Sequence, residues 1–432
     1  MTSIWMGTVD MPHFDALQKD IKTDVLIIGG GMAGILCAYM LKEQGVDYTL
    51  VEGRRICSGI TKNTTAKITV LHGLKYNHLL KKTGYERAKK YLDVNQKAVR
   101  KYQELSRNID CDFEEKTAYV YSMDCRKKLE DETKALLRLG ALAELSEPDK
   151  LPFQTAGAVG IKNQAQLHPL KFAAGIAKGL NIYENTFVKE FKDHTAVTEN
   201  GRIDFQKAIF ATHFPIDNKH GMYFMKLYQQ RAYVIALANA ADVNGMYIDE
   251  AIGGFSFRNY KNFLLIGGGS HRTGTQSEKW NKLREFSRQY YPDCDIKYTW
   301  AAQDCMSLDG IPYIGQYSKH MPHCFAATGF DKWGMTASMV SAMILADLAT
   351  GQENSYSEVF SPSRSILKPQ LFVNGWKAVS NLFIPSKKRC PHMGCTLKWN
   401  ETEETWDCPC HGSRFDEKGN VIDNPANGNL KI

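Results

Sequence analysis

The sequence predicts an α/β chain with a strand-rich insertion and a small, separately built tail. Three observations carry that expectation. The apolar run Val25 to Ile28 is followed by Gly29, Gly31 and Gly34, a helical stretch and a second apolar run from Tyr48 to Val51, which is the order strand, turn, helix, strand. From Gly221 to about Asp295 apolar and polar residues alternate, as in AYVIALA, and FLLIGGG adds a short apolar run, the patterns of buried and half-buried strands. Four of the eleven cysteines crowd between Cys390 and Cys410, in the segments CPHMGC and CPCHGSRF.

At 432 residues, 43% hydrophobic and 23% charged, the chain has ample core for two or three domains. Its formal charge of +7 is thin for this length and reads as solvated surface, not as a nucleic-acid footprint. The start, MTSIWMGTVDMPHF, carries acids and has neither a basic beginning nor an apolar run, so no signal peptide is expected. Met335 to Ala349 is too short to span a bilayer, and the expectation is a cytoplasmic chain without a transmembrane segment. The other seven cysteines (Cys37, Cys57, Cys111, Cys125, Cys294, Cys305 and Cys324) lack motif spacing and read as inert thiols of a reducing compartment.

The glycine triplet has separable roles. Gly29 permits the tight turn after the strand. Gly31, with Met32 and Ala33 after it, lets backbone N–H groups approach a pyrophosphate at the helix N-terminus, and Gly34 lets helix pack on strand. Glu52, at the end of the second strand, can accept hydrogen bonds from a ribose. The pattern predicts a dinucleotide without separating NAD from FAD. Two later stretches favour FAD: IFATHFPI, a buried strand running into a turn, and FAATGFDKWGMTASMVSAMILADL, a strand, glycine turn and helix starting near Gly334. A second helix N-terminus can set amides against the pyrimidine oxygens of a flavin.

Taken with CSGITKNTTAKIT, QLHPLKFAAGIAKGL and WAAQDCMSLDGIPYIG, these segments resemble FAD-dependent oxidoreductases of the D-amino-acid oxidase superfamily, from about Ser3 to Gly351. The resemblance implies that Ser58, Gly59, Thr64, Thr65 and Ala66 pass along the pyrophosphate and flavin. It puts Val188 beside the adenine, Thr212 and Gly315 near the cofactor, and Gly329, Gly334, Met335 and Thr336 at the flavin ring. The long helix read from Tyr85 to Asn108 and the strands from Gly221 match that family's substrate domain, a sheet that roofs the flavin.

The chemistry implied is hydride transfer from an amine-bearing carbon, with the flavin carrying the hard step. Candidate substrate contacts are Arg231 and Tyr233 in QQRAYVIA, His271 and Arg272 in GGGSHRTG, Trp300 and Trp333. Arg231 or Arg272 is expected to clamp an anionic substrate group; for each, a surface or domain-closing ion pair is the plainer use of an arginine. Lys67 could approach the flavin and assist an electron acceptor, or sit in a salt bridge.

At the tail, Cys390-x-His392 and Cys408-x-x-His411 offer two thiolates and two imidazoles. That set suits zinc, or a cluster in which histidines hold one iron and cysteines the other. Each half offers one cysteine and one histidine, as the mixed cluster requires, whereas zinc sites usually pair cysteines in knuckles. The full pattern closely resembles the Rieske [2Fe–2S] proteins of cytochrome bc-type complexes. The resemblance implies Cys390 and Cys408 on one iron, His392 and His411 on the other, and a disulfide between Cys395 and Cys410. Ser413 matches a residue whose hydroxyl hydrogen-bonds a cluster sulfur. Phe415 stands where high-potential proteins carry tyrosine, so a potential below the top of the range of about −150 to +300 mV is expected.

Upstream of Cys390 the chain lacks the strands that open a complete Rieske domain. Instead, Pro369, Phe372, Trp376, Val379 and Phe383 predict an amphipathic helix that docks on the body. The expected division is an FAD-binding domain over 1–75, 146–220 and 296–355, an interleaved α+β substrate domain over 76–145 and 221–295, a linker over 356–386 and a small all-β Rieske module over 387–432.

The function expected is a dehydrogenase of amines or amino acids. Its electrons would pass singly through the cluster, by exposed imidazole ligands, to an external acceptor such as a ferredoxin or quinone. A reductase running the opposite way is the first alternative. A redox-sensing protein is the second, attractive only if the substrate pocket is closed.

Overall fold

The computed structural model describes residues 2–217, 220–275 and 280–431. The first sheet runs, in spatial order, Tyr313–Ser318, Met321–Thr328, Arg202–Phe210, Ile21–Ile28, Tyr48–Val51 and Ile182–Tyr183. All neighbours are parallel except the hairpin of the first two. Its central strands end in buried runs because helices cover that part of the sheet; Val25 to Ile28, Ala208 to Phe210 and Tyr48 to Val51 are buried throughout. Helix Met32–Glu43 packs against helix Gly334–Ala349, so both glycine turns open at the same end of the sheet.

The second sheet has nine strands: Asp295–Met306, Tyr228–Ala238, Phe263–Arg272, Ser256–Tyr260, Met246–Asp249, Glu114–Ser122, Gly157–Gln166 and Lys67–Ile68 in that order, with Ala143–Ser146 also paired to Gly157–Gln166. It therefore takes strands that the sequence reading gave to the FAD-binding domain. Lys67–Ile68, Gly157–Gln166 and Asp295–Met306 all pair here, because antiparallel ladders join them to the substrate sheet. The expected long helix spans Tyr85–Ser106.

The tail is a four-strand meander, Lys398–Asn400, Thr405–Asp407, Arg414–Asp416 and Val421–Asp423. Its apolar core is small: Leu397, Phe415, Ala426, Leu430 and the four cysteines. A buried polar knot supplements it, in which Arg414 meets Asp407 (3.0 Å), Glu403 (2.7 Å) and Asp423 (3.2 Å). The linker helix spans Pro369–Leu382, with Pro369 at its first position, where the missing N–H has no cost.

Candidate redox site

A cavity of about 770 Å³ lies between the two sheets, ample for a dinucleotide. Its wall includes Gly29, Gly31, Met32, Ala33, Glu52, Ser58, Gly59, Thr64, Thr65, Val188, Thr212, Gly334 and Met335. The backbone there is shaped for close approach. A Cβ on Gly29 would strike the Ala211 carbonyl at 2.6 Å, one on Gly34 would overlap the Gly29 carbonyl, and one on Gly59 or Gly334 would stand in open space. Helix Gly334–Ala349 has no side-chain cap, which leaves its first amides for a ligand. Glu52 accepts from the amides of Gly30 (2.7 Å) and Arg54 (2.9 Å), holding its carboxylate at the end of the second strand.

Four residues expected at the cofactor are not in this wall. Ala66 is fully buried, and Thr336 bonds His72 (3.0 Å). Gly329 faces Leu227 and Ser307, and Gly315 faces Pro362; neither lines the cavity.

The expected substrate contacts divide. Lys67, Tyr233 and Trp333 line the cavity. Lys67 is 9% exposed and donates to Ser256 (3.3 Å) and Thr65 (3.4 Å). Burial, reinforced by the Arg258 charge, pushes its ammonium down to about 7. Trp333 stacks on His72 at 4.6 Å.

The others lie elsewhere. Trp300 is 2% exposed and donates to the Asn63 carbonyl (2.9 Å). His271 stacks on Tyr233 outside the wall.

The two arginines are committed to the tail. Arg231 is ion-paired with Glu403, which Tyr233 also reaches (3.3 Å). Arg272 donates to the carbonyls of Pro409 (2.9 Å) and Cys410 (2.7 Å) and to Asn374 (2.8 Å). A guanidinium whose fork is filled this way has no face left for a substrate carboxylate; the plainer domain-closing use is the one observed.

Sequence reasoning missed a second set. Asp304, Lys332, His72 and His213 line the cavity, and Lys332 donates to Ser270 (2.7 Å). No motif marks them; His213, Asp304 and Lys332 merely lie within segments quoted for other residues.

The cysteines and histidines of the tail come together. Cys395 and Cys410 form the disulfide. The sulfurs of Cys395, Cys408 and Cys410 lie within 4.8 Å of one another, but the bridge consumes two of them, which leaves Cys408 and the buried Cys390 as thiol donors. The imidazoles of His392 and His411 are 4.9 Å apart, edge to face. His411 is 5% exposed with its Nδ1 buried and unbonded, an orphan nitrogen that a metal would satisfy. Burial, then the neighbouring His392 and Arg272, pushes its ring down to about 3, so it is neutral as a ligand must be. The Cys408 thiol is lowered to about 7, first by its hydrogen bond with Cys390 and then by the amides of residues 410 to 412 despite burial. These donors fit a cluster held by two thiolates and two imidazoles.

Of the two imidazoles, His411 is buried and only His392 keeps partial exposure. His411 meets Phe224, and His392 meets Phe214, both on the body of the molecule. The tail is clamped there by close backbone approach. A Cβ on Gly274 would strike Pro409, and one on Gly412 would strike Gln229. Val421 to Asn424, Ala426 and Asn427 form part of the cavity wall itself. Asn424 donates to the carbonyls of Thr212 (2.6 Å) and Phe214 (2.8 Å), and Arg54 to that of Ile422 (2.9 Å).

Residues 24–348 match the family of FAD-dependent oxidoreductases designated DAO. The chain belongs to that family. Residues 370–432 match the Rieske [2Fe–2S] domain, so this family member takes FAD in its body and a [2Fe–2S] cluster in its tail. It is 32% identical to the putative Rieske 2Fe-2S iron-sulfur protein YhfW of Bacillus subtilis, over 99% of this chain and 96% of that one. In fold it is similar to glycine oxidase from Geobacillus kaustophilus (TM-score 0.67, 18% identity, 80% of this chain and 99% of that one). L-proline dehydrogenase from P. horikoshii is alike to a similar degree (TM-score 0.68, 18% identity, 80% and 98%). No helix among the described residues is long and apolar enough to cross a membrane.

Proposed function

We propose that this FAD-dependent oxidoreductase is a cytoplasmic dehydrogenase of an amine or amino-acid C–N bond whose electrons leave singly through the tail to an external acceptor. One observation carries the reading. The His411 carbonyl accepts from Gln229 Nε2 (3.1 Å), and Gln229 Oε1 accepts from His213 Nε2 (3.0 Å). His213 lines the cavity. A bonded path of two side chains thus joins the cavity to one proposed cluster ligand.

Bound FAD supplies a two-electron hydride acceptor, and a [2Fe–2S] cluster supplies one-electron passage. The chain's own groups do the rest. Lys332 and Ser270 offer a cation and a hydroxyl to an anionic substrate group, in place of the committed arginines. Lys67, poised between charged and neutral forms near pH 7, can hold or release a proton inside the cavity. Cys390, Cys408, His392 and His411 hold the cluster. The open cavity supports an enzyme over a purely sensing role.

Anaerobic addition of a panel of amines, amino acids and polyamine derivatives tests this. A true substrate bleaches the flavin and then brings up the paramagnetic signal of the reduced cluster. A bleached flavin beside a cluster that stays oxidised indefinitely refutes the relay.

A further inference from the structure

The linker helix Pro369–Leu382 is fastened by its polar side. Asn374, 6% exposed, accepts from Arg272 through its side chain, and the backbone carbonyl of Asn381, 5% exposed, accepts from the Thr396 amide (3.3 Å). The Lys377 carbonyl meets Cys410 Sγ at 3.9 Å. The apolar side faces outward: Phe372 is 69% exposed, Trp376 72%, Val379 50% and Phe383 80%. Their spacing of four, three and four residues makes one stripe. The sequence led us to expect this stripe against the body; the structure reverses it. A contiguous aromatic patch in water marks a surface made to be covered.

Charge says by what. Between Glu358 and Glu401 there is no acidic residue, yet there are seven basic ones. Arg364 is spent on Asp309, which leaves Lys368, Lys377, Lys387, Lys388, Arg389 and Lys398 in the stretch that carries the stripe; Arg389 reaches the Leu382 and Ile384 carbonyls, and Lys388 lies over the Trp406 ring. The chain has 54 basic and 47 acidic residues, so the remainder is balanced and the whole surplus of +7 sits in this stretch. Two copies meeting face to face would oppose cation to cation.

We propose that this face lies in the headgroup region of an anionic phospholipid membrane, with Phe372, Trp376 and Phe383 entering the acyl boundary and the lysines on lipid phosphates. The helix has 14 residues, too few to span, and the arrangement is that of an interfacial helix lying in the membrane plane. It sits against the disulfide loop of the cluster module, so the bilayer would bring that module beside a phase in which quinones dissolve. The surface itself does not depend on the relay reading.

Sedimentation of the holoprotein with phosphatidylcholine vesicles, with and without phosphatidylglycerol, is the test. Binding to the anionic vesicles alone, weakened by salt, is expected, and the double variant Phe372→Ser, Trp376→Ser should lose at least about tenfold in partitioning while keeping its flavin and cluster spectra. Three outcomes overturn the proposal: no sedimentation above background, equal binding by the variant, or a dimer in light scattering that the variant dissolves without any vesicle binding. None of these readouts requires turnover, so they are separable from failure of the proposed reaction.

Discussion

Arg231, on a central strand of the second sheet, and Glu403, in the cluster module, form an ion pair whose side chains are 6% and 7% exposed. Arg414 shares Glu403 from inside the module (2.7 Å). The module is therefore held to the substrate sheet by charges withdrawn from water, where losing one partner strands the other.

Arg231→Met should cost about 3 kcal/mol, the low end for a broken buried pair because Arg414 still faces Glu403. Adding Glu403→Gln should restore part of it, read as the melting of the cluster absorbance. Burial raises the Glu403 carboxyl, but Arg231 and Arg414 more than offset this and hold it below the usual glutamate range. A depressed folded value means the stabilisation is present above the unfolded value of about 4.3 and is lost as pH falls through the folded one. The module should loosen in acid and be indifferent from neutral to alkaline pH.

Arg272 and Lys332 should behave oppositely in rapid-reaction kinetics. Arg272→Ala should leave anaerobic flavin reduction unchanged in rate and apparent affinity, but slow cluster reduction. Lys332→Ala should weaken apparent substrate affinity by roughly tenfold to a hundredfold, the loss of one charge-assisted hydrogen bond. The reverse result would reinstate Arg272 as the substrate clamp.

Lys67→Met should remove an ionisation near pH 7 from the pH profile of flavin reduction. The stability sign is also fixed. A lysine depressed when folded burdens the native state most below about pH 7, and the burden fades toward the unfolded value of about 10.4. The variant's gain in thermal stability should be largest in mild acid and vanish in alkali.

Ser413 is fully buried; its Oγ accepts from the Ala426 amide (3.0 Å), and its hydroxyl is directed at Cys390. Ser413→Ala should lower the cluster potential by on the order of 60 mV, the one-electron equivalent of a hydrogen bond to a charged group. His411→Ala should abolish the Rieske paramagnetic signal while the flavin stays bound. A redox titration and a spectrum of each variant decide both.

The glycine turns and the cysteine and histidine loops were legible because their chemistry is local. A strand, a turn without side chains and a helix start within a few residues must leave amides together, and a two-residue step keeps Cys390 and His392 on one short loop. Arg231 and Arg272 were not legible. Their partners lie 172 and 137 residues along the chain, and an arginine reads the same whether it faces a substrate or Glu403. His213 and Lys332 lie inside segments read for other residues, and nothing local marks either of them; the fold alone turns them into the cavity.

The sequence by itself determined that this chain holds a dinucleotide-binding βαβ unit, a strand-rich second domain, a Cys/His tail and an amphipathic helix, because periodicity and spacing act over short stretches of backbone. Only the tertiary structure decided how they face one another. It set the histidines of the tail against the body, burying His411 and leaving His392 half-buried, and it turned the apolar side of the helix outward. Periodicity defines two faces of a helix, but only packing selects the one that is covered.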